Sequence, residues 1–182
     1  RPVWDEIERD LPVATVDPSN QHILLWQGTE LEESHRHHSF IAGITPFDVI
    51  DPSDPKWQPI VNATIDHWVR MGMGLWSGWC MPWAAMIHQR VGNPDMAVLT
   101  MEIWRRVFTN VGHGTLHDCE FAGLTLLGAK RDKAPDSGEI MQMDAGMGAT
   151  AALLDGMAYT QGGVVHLFRG APMGWREVGF EG

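Results

Sequence analysis

Apolar residues recur at helical spacing in three consecutive segments between residues 54 and 109. In each segment they fall on one stripe, which is the pattern of an amphipathic helix packed on a core. Asp54 and Pro55 are typical of a helix start, because Asp is a favoured N-cap and Pro fits the first helical position. Gly92 ends the second segment, and Asn93 with Pro94 restarts the chain after a short link. The stripes consist of Trp57, Ile60, Val61, Ile65, Trp68 and Val69, then Trp79, Trp83, Met86, Ile87 and Val91, then Met96, Leu99, Ile103 and Val107. The pattern predicts three helices, of which the last two are antiparallel neighbours.

The rest of the chain is less regular. Residues 111–143 carry Gly, Pro, Asp and Ser without a sustained period, so they predict a long loop with one short element at about residues 121–127. A further helix is expected at about residues 145–159, and Val164 to Phe168 follow two glycines as a short strand. The fold class is therefore mainly α, in one domain that covers residues 1–182. Stacked helices with long loops suggest an α/α toroid, and periodicity alone fits a plain helical bundle equally well.

Charge and hydropathy exclude two classes of partner. Lys and Arg number 13 against 23 Asp and Glu, which gives a net charge of −10. Affinity for nucleic acid comes largely from Lys and Arg, so we expect no nucleic-acid partner. The longest uncharged stretch, residues 71–87, is interrupted by glycines and a proline, so no membrane span is predicted. Cys80 and Cys119 have no metal-ligand spacing and form no disulfide framework, which leaves the compartment open.

Both ends of the chain suggest a piece of a longer protein. The first ten residues contain neither an initiator Met nor the basic and then apolar pattern of a signal peptide. The last residues, Val-Gly-Phe-Glu-Gly, form neither a polar tail nor a helix cap. We therefore expect a fragment.

The densest polar cluster is residues 32–39, which contain three histidines and an arginine just before an apolar run. Three interpretations stay open. The cluster is a solvated loop, or it lines a binding site through His35, Arg36 and His37, or His35, His37 and His38 bind a metal. No acidic or thiol partner stands at a spacing that fixes metal geometry, so we assign no metal ligand.

Asp144 opens the last predicted helix within the sequence Gln-Met-Asp-Ala-Gly-Met-Gly, residues 142–148. An Asp at this position can cap the helix by accepting hydrogen bonds from the free N–H groups of the first turn. It is equally a carboxylate at a helix mouth, where Ala145, Gly146 and Gly148 leave room for a ligand. The two roles are compatible, and the residue pattern does not separate them.

Tryptophan is abundant, with nine residues against a single tyrosine. Indole rings stack on the apolar faces of sugar rings, but they also fill hydrophobic cores. Trp79 belongs to a group with Trp76 and Trp83, and core packing is the commoner role for each of them. His117, in the predicted long loop, is a polar side chain of the kind that sugar sites use.

Taken in order, these segments resemble glycoside hydrolase family 95, the α-fucosidase family whose catalytic domain is an (α/α)6 barrel. The segment around His35 is similar to the family's HRHLSHLYG stretch, the segment around Trp79 to its TGWSLAW, and the segment around Asp144 to its QIDGNFG. The matching segments are residues 35–43, 77–83, 92–97, 142–148, 163–168 and 171–175. The resemblance thus extends over nearly all of the chain, from about residue 33 to residue 180.

The resemblance implies a glycoside hydrolase that inverts the anomeric centre. Such enzymes use one carboxylic acid to protonate the leaving oxygen and one carboxylate to activate water. Asp144 matches the general base. We assign substrate binding to His35, Arg36, His37, Trp79, His117 and Gln142. The implied substrate is an oligosaccharide or glycoside with an α-linked neutral or deoxy sugar such as fucose, with no cofactor and with a secreted or periplasmic location.

The family's general acid is a Glu that lies upstream of any residue in this chain. The resemblance therefore implies the C-terminal part of a barrel without its N-terminal half, and we expect these residues alone to be inactive. Glu32 and Glu33 are weak candidates for the acid. The chain also departs from the family, because the His-Pro-Pro-Phe before QIDGNFG is replaced by Gly-Glu-Ile-Met at residues 138–141. The sugar and its linkage therefore stay open.

Two further hypotheses belong to other classes of protein. One is a non-catalytic carbohydrate-binding or scaffold protein on a degenerate α/α barrel, in which Asp144 only caps a helix. The other is a metal-dependent hydrolase built on the histidine cluster. A second carboxylate facing Asp144 at roughly 6.5–9.5 Å, the separation that leaves room for water in an inverting enzyme, distinguishes a glycosidase from the first.

Overall fold

Helices dominate the structure, a computed structural model that describes residues 2–119, 125 and 140–179. Within these residues the chain forms α1 (Pro2–Asp10), a 3-10 turn (Ser39–Ile41), α2 (Gln58–Met71), α3 (Cys80–Arg90), α4 (Pro94–Val107), α5 (Met143–Met157), β1 (Ala158–Gln161) and β2 (Val164–Leu167). The prediction of a mainly α fold with a short β segment near the C-terminus is confirmed. The element expected at residues 121–127 lies outside the described residues, apart from Thr125.

Helix α2 begins later than Asp54 predicts. Asp54 instead closes a turn, because its carboxylate accepts the N–H of Lys56 (2.8 Å) and its carbonyl accepts the N–H of Trp57 (2.9 Å). Trp57 is the N-cap residue, and Pro59 takes an early helical position where a missing N–H leaves no hydrogen bond unmade. The prediction of a helix in this region is confirmed, and its predicted start at Asp54 is wrong.

The last helix ends earlier than expected, at Met157 in place of residue 159. Residues 158–161 leave the helix as β1 and pair antiparallel with β2, with Gln161 opposite Val164. Gly162 and Gly163 join the strands at φ values of 57° and 77°, the left-handed backbone that a two-residue type I′ turn requires. The two glycines therefore form a hairpin turn, whereas the sequence interpretation placed a helix end before them and a single strand after them.

Helix α3 forms the centre of the core. All of its residues are buried, and it packs against both α4 and α5. Ala84 and Ala85 allow neighbouring elements to approach closely, while Met81 and Ile87 fill the space beside them. The loop before α2 contributes Ile41, Ile44 and Ile50 to the same cluster of buried residues. Helix α3 is therefore the element on which α4, α5 and this loop pack.

Helices α3 and α5 run in the same direction. At one end, the N–H of Trp79 donates to the side-chain oxygen of Gln142 (2.8 Å). At the other end, Gln89 donates to the Ala152 carbonyl (3.0 Å), and the last residue of α3 pairs with a carboxylate of α5. Helix α4 follows α3 after three residues and packs against it. This arrangement does not by itself close a ring, so the toroid stays a prediction.

The last residue of α3 is a charge in the core, because the Arg90 side chain is only 4% exposed. Its guanidinium donates two hydrogen bonds to Asp155 (2.6 and 2.9 Å) and one to Asp48 (2.6 Å), and it lies 3.8 Å from the centre of the Tyr159 ring. Burial alone would lower the pKa of Arg90, but the hydrogen bonds and charge of Asp155, together with the charge of Asp48, raise it above its ordinary value. Arg90 thus stays charged and joins α3 to α5 and to the loop before α2.

Apolar side chains are exposed on α1 and on α5. Helix α1 buries none of its residues and exposes Trp4 and Ile7, and α5 exposes Met147, Leu153 and Leu154. Exposed apolar surface on helices commonly marks contact with another part of a protein or with a partner. Within the described part of the chain, no helix has the length and apolar character needed to cross a membrane.

Replacing Asp155 by Ala should lower the free energy of unfolding by about 3–5 kcal/mol, because Arg90 would keep a buried charge without its bidentate partner. The matched control is Asp66→Ala, which breaks the exposed pair between Asp66 and Arg70 on α2 and should cost less than about 1 kcal/mol. Urea unfolding of both variants measures the difference. Equally small losses in the two variants would show that Asp155 does not hold Arg90.

Candidate functional site

Three of the predicted site residues meet at the start of α3. The N–H of Gly78 donates to the His117 carbonyl (3.0 Å), and the N–H of Trp79 donates to the Gln142 side-chain oxygen (2.8 Å). These donors precede a buried helix, where an N–H without a partner would be costly. We call residues 78–80 and their hydrogen-bond partners the α3 junction. The α3 junction makes Trp79, His117 and Gln142 neighbours.

The histidine-rich loop joins the α3 junction through Arg36. The Cys80 thiol donates to the Arg36 carbonyl (2.8 Å). Burial raises the pKa of the Cys80 thiol, so the proton that this bond requires stays on the sulfur. The side chains of His35, Arg36 and His37 are exposed. The structure therefore holds the backbone of this loop against α3 and leaves its polar side chains at the surface.

His35 and His37 lie side by side on this loop. Their ring centres are 5.2 Å apart, and the N–H of His37 donates to His35 Nδ1 (3.1 Å). Partial desolvation of its ring lowers the pKa of His37, and the charges of Arg36 and His35 lower it further. His37 is therefore uncharged at neutral pH, and a neutral imidazole both donates and accepts hydrogen bonds.

His38 has a different role from its neighbours. Its ring is buried and lies edge-on to Trp68 and Trp76. Trp68 Nε1–H donates to Nδ1 (3.3 Å), so Nε2 carries the proton and donates to the Cys80 carbonyl (3.2 Å). Burial, followed by the charges of nearby histidines, lowers the pKa of His38 to about 3. Both ring nitrogens are occupied, so the interpretation of His38 as a metal ligand is wrong.

Both backbone polar groups of Gln142 form hydrogen bonds with Thr115. Its N–H donates to the Thr115 carbonyl (2.9 Å), and its carbonyl accepts the Thr115 hydroxyl (2.6 Å). The adjoining strand-like contact pairs Leu116 with Met141. A Cβ atom on Gly78 would lie 2.0 Å from the Leu116 carbonyl oxygen, so only glycine fits there. Backbone contacts thus hold Gln142 and Gly78 closely against residues 115–116.

Asp144 lies in the first turn of α5, two residues beyond Gln142. Gln142 is the N-cap residue, so the interpretation of Asp144 as the cap is wrong in position. The Asp144 carboxylate is exposed, and Oδ1 accepts the N–H of Ala145 (3.0 Å). Ala145 is fully buried behind it. The structure therefore presents this carboxylate to solvent on the first turn of a packed helix.

Trp79 lies between α3 and α5. A Cβ atom on Gly148 would lie 2.4 Å from a ring carbon of Trp79, so the indole rests directly on the α5 backbone. Trp83 flanks the ring, with centres 5.5 Å apart. Trp79 is half-buried. It therefore packs in the helix interface and keeps part of its ring at the surface, and its contact with a sugar stays a prediction.

The remaining predicted residues are His117, Glu32 and Glu33. His117 Nδ1 lies 2.6 Å from the Asp118 carboxylate, which orients the ring, and both side chains are partly exposed. Glu32 and Glu33 are exposed on the loop before His35. Among the described residues, no hydrogen bond joins either glutamate to the α3 junction. The contacts therefore give neither of them a place beside Asp144.

The residues with metal-ligand geometry are not those of the histidine-rich loop. In the described part of the chain, His22, Glu30 and His67 form the group whose ligand atoms converge. Sequence reasoning missed this group, because its members are 8 and 37 positions apart and follow no metal-binding motif. The only available signal was three potential ligands in a polar loop and on a predicted helix.

Two surface grooves lie away from the α3 junction. One, of about 420 Å³, includes Asn62, His88 and Asn93 in its lining. The other, of about 500 Å³, is lined by residues between Pro12 and Gly28. No predicted site residue lines either groove, so neither is the cleft that the sequence resemblance implies.

Comparison with protein-family models matches residues 4–157 to the model described as the glycosyl hydrolase family 95 catalytic domain. The match spans most of the chain and ends at the last residue of α5. It contains the α3 junction, the histidine-rich loop and Asp144. Comparison with curated proteins gave no match. The resemblance carried by the separate sequence segments is thus confirmed.

Replacing Gly78 by Ala should lower the free energy of unfolding by about 1–3 kcal/mol, because the new Cβ would collide with the backbone at Leu116. The matched control is Gly74→Ala, since a Cβ there has no neighbour within 4 Å and the change should stay within about 0.5 kcal/mol. Urea unfolding measures both. A Gly78 variant as stable as the Gly74 variant would contradict the close contact.

Stability should fall as pH is lowered from about 6.5, the ordinary pKa of histidine, to about 5. Burial lowers the pKa of His38 to about 3 and that of His88 to about 4, so in this range the unfolded chain binds protons that the folded chain does not. Each histidine contributes a slope of up to about 1.4 kcal/mol per pH unit. Urea unfolding across this range measures the slope. The dependence of the unfolding free energy on pH should be about half as steep in His38→Gln as in wild type. In the control variant His113→Gln the slope should equal that of wild type. A wild-type slope in His38→Gln as well would exclude a neutral, buried His38.

Proposed function

Because the chain belongs to glycosyl hydrolase family 95, we propose that it forms the C-terminal part of an inverting glycosidase whose general base is Asp144. Membership of the family indicates hydrolysis of a glycosidic bond, and the inverting route and the residue roles are our proposal. The substrate is an oligosaccharide or glycoside with an α-linked neutral or deoxy sugar such as fucose.

The observation that carries this proposal is the position of Asp144. A general base must be reached by water and held in place by a rigid element. The Asp144 carboxylate is exposed, and it stands two residues after Gln142, which three hydrogen bonds fix to Trp79 and Thr115. Asp144 therefore has both the access and the support that the role requires.

The proposed reaction is a single displacement by water. One Asp144 oxygen takes a proton from the water, whose oxygen bonds to the anomeric carbon on the face opposite the leaving group. The bond to the leaving oxygen breaks, and a general acid at roughly 6.5–9.5 Å from Asp144 protonates that oxygen. We assign the acid to the N-terminal half of the barrel, outside these 182 residues, so this chain alone should be inactive.

Side chains around the α3 junction suit the hydroxyl groups and the apolar face of a sugar. The Gln142 oxygen already accepts the N–H of Trp79, so its amide NH2 is the part that donates to the substrate. The exposed part of Trp79 offers an indole surface to the sugar ring. The proposed binding residues are His35, Arg36, His37, Trp79, His117 and Gln142.

The helix directions support a position in an (α/α)6 barrel. In such a barrel the inner helices run in one direction, and each outer helix returns the chain between two inner ones. Helices α3 and α5 run in the same direction, and α4 packs on α3 between them in sequence. We assign α3 and α5 to the inner wall, with the α3 junction and Asp144 at the end that carries the site.

A non-catalytic carbohydrate-binding protein is the second candidate. One observation favours it, because Asp144 Oδ1 accepts the N–H of Ala145, a contact that serves the start of α5 without any chemistry. On this alternative the α3 junction binds sugar and Asp144 takes no proton.

Asp144→Asn in the complete enzyme should lower kcat by at least about 100-fold, because Asn cannot accept a proton at neutral pH. Asn serves a helix start about as well as Asp, so the free energy of unfolding should change by less than about 1 kcal/mol. Asp95 is the matched control, since it is also an exposed second residue of a helix, α4. Hydrolysis of a panel of aryl α-glycosides measures kcat for both Asn variants.

Loss of turnover in Asp144→Asn with normal turnover in Asp95→Asn would favour the general base. Near-normal turnover in both variants would contradict it, and a complete enzyme that binds sugars without cleaving any of them would favour the second candidate. NMR of the first product formed gives the anomer, and retention of configuration would contradict the inverting route.

A further inference from the structure

A cluster of two histidines and a glutamate lies apart from the α3 junction. His22 and Glu30 belong to the loop between α1 and α2, and His67 belongs to α2. His22 Nδ1 lies 2.7 Å and His67 Nε2 lies 3.5 Å from the same Glu30 oxygen. The side chains of His22, Glu30 and His67 are 18%, 34% and 17% exposed. They therefore converge on one point that is partly enclosed and still open to ions in solution.

The spacing of the three ligand atoms fits a transition-metal ion. One atom from each residue lies within 4.8 Å of the other two. Zinc bound at about 2.0–2.2 Å in tetrahedral geometry holds neighbouring ligand atoms roughly 3.3 Å apart. The distances of 2.7 and 3.5 Å to the Glu30 oxygen lie on either side of that value. Small rotations of the side chains are enough to reach it.

We propose that His22, Glu30 and His67 bind a divalent transition-metal ion of the zinc class. Two imidazoles and one carboxylate are a ligand set that zinc takes, with a fourth position open to water or a small anion. The imidazoles bind as neutral groups, so the site brings one negative charge to the two positive charges of the ion. The remaining positive charge favours a hydroxide or another anion in the fourth position.

Neighbouring groups orient the ligands. The Asn20 amide donates to the same Glu30 oxygen (3.2 Å), an outer contact of the kind that fixes metal-binding carboxylates. The His22 and His67 rings stack at 4.4 Å, so each restricts the other. In the metal-free chain His67 Nε2–H donates to the Leu31 carbonyl (2.6 Å). On metal binding that proton moves to Nδ1 of the same ring, which remains neutral.

The ion would join the loop between α1 and α2 to the helix that follows. A weaker link already exists, because the N–H of Ile23 donates to the Thr64 hydroxyl (2.9 Å) one turn before His67. The same loop continues through Leu31 to the histidine-rich segment that contacts Cys80. The metal would therefore stabilise the conformation of the loop that leads to the histidine-rich segment. The proposed metal site does not depend on the proposed glycosidase chemistry.

The test is titration of the metal-free 182-residue chain with Zn2+ by calorimetry. Wild type should bind one equivalent, and saturation should raise Tm by several degrees, since an ion that binds only the folded chain stabilises it. The variants His22→Gln, Glu30→Gln and His67→Gln should each bind more than about 100-fold more weakly, because loss of an outer partner alone costs about 10–100-fold. His113→Gln is the control, since it removes an exposed imidazole elsewhere.

Weaker binding in the three ligand variants with normal binding in His113→Gln supports the site. Normal binding in those variants together with loss in a His35→Gln/His37→Gln double variant assigns the ion to the exposed histidine pair and overturns the proposal. No saturable binding by wild type also overturns it. Circular dichroism in EDTA shows whether each variant is folded, and if one is unfolded the other two decide. The visible spectrum of wild type with Co2+ is a further measurement. Weak absorption, which is typical of six-coordinate Co2+ with mostly water ligands, would contradict the site.

Discussion

The complete burial of α3 is the constraint on which the rest of the structure depends. A helix without a solvent-facing side has to find partners for its polar ends inside the protein. At its start these partners are the Gln142 side chain and the His117 carbonyl. At its end the N–H groups of residues 91–93 donate to its last carbonyls, and the carboxylates of Asp48 and Asp155 pair with the buried Arg90 side chain. Because these groups belong to α5 and to loops, burying α3 also determines where α5 and the loops lie. The exposed carboxylate of Asp144, on the first turn of α5, therefore depends on the core for its position.

The three helices from residue 58 to residue 107 could be predicted because their signal is local. Apolar residues recur at each helical turn, and Gly92 ends the second helix whatever the tertiary contacts are. Where two local signals compete, the sequence does not say which one prevails. Asp54 could cap a helix by its chemistry, but it forms a turn. Residues 158–159 continue the predicted helix in sequence, but residues 158–161 form a strand because they pair with β2.

The candidate site could be predicted as a set of segments, and individual roles could not. The family order brought the segments of Trp79 and Gln142 into one hypothesis, and the structure makes them neighbours. His38 shares a run of polar residues with His35 and His37, but its enclosure by tryptophans from α2 and α3 appears only in three dimensions. The grouping of His22, Glu30 and His67 likewise depends on how a loop folds onto α2, which no spacing in the sequence encodes.

Helices α3 and α5 are parallel and joined at both ends, and this limits insertions and deletions within either helix. Trp79 holds Gln142 at one end and Arg90 holds Asp155 at the other, so the two helices are matched in span. One residue inserted into α3 would rotate everything after it by about 100° and turn Arg90 away from its carboxylates. A helix free at one end absorbs an insertion by shifting along its axis, but this pair has no free end. Natural variation in length should therefore collect in the loops around α3 and α5 and be missing from the helices themselves.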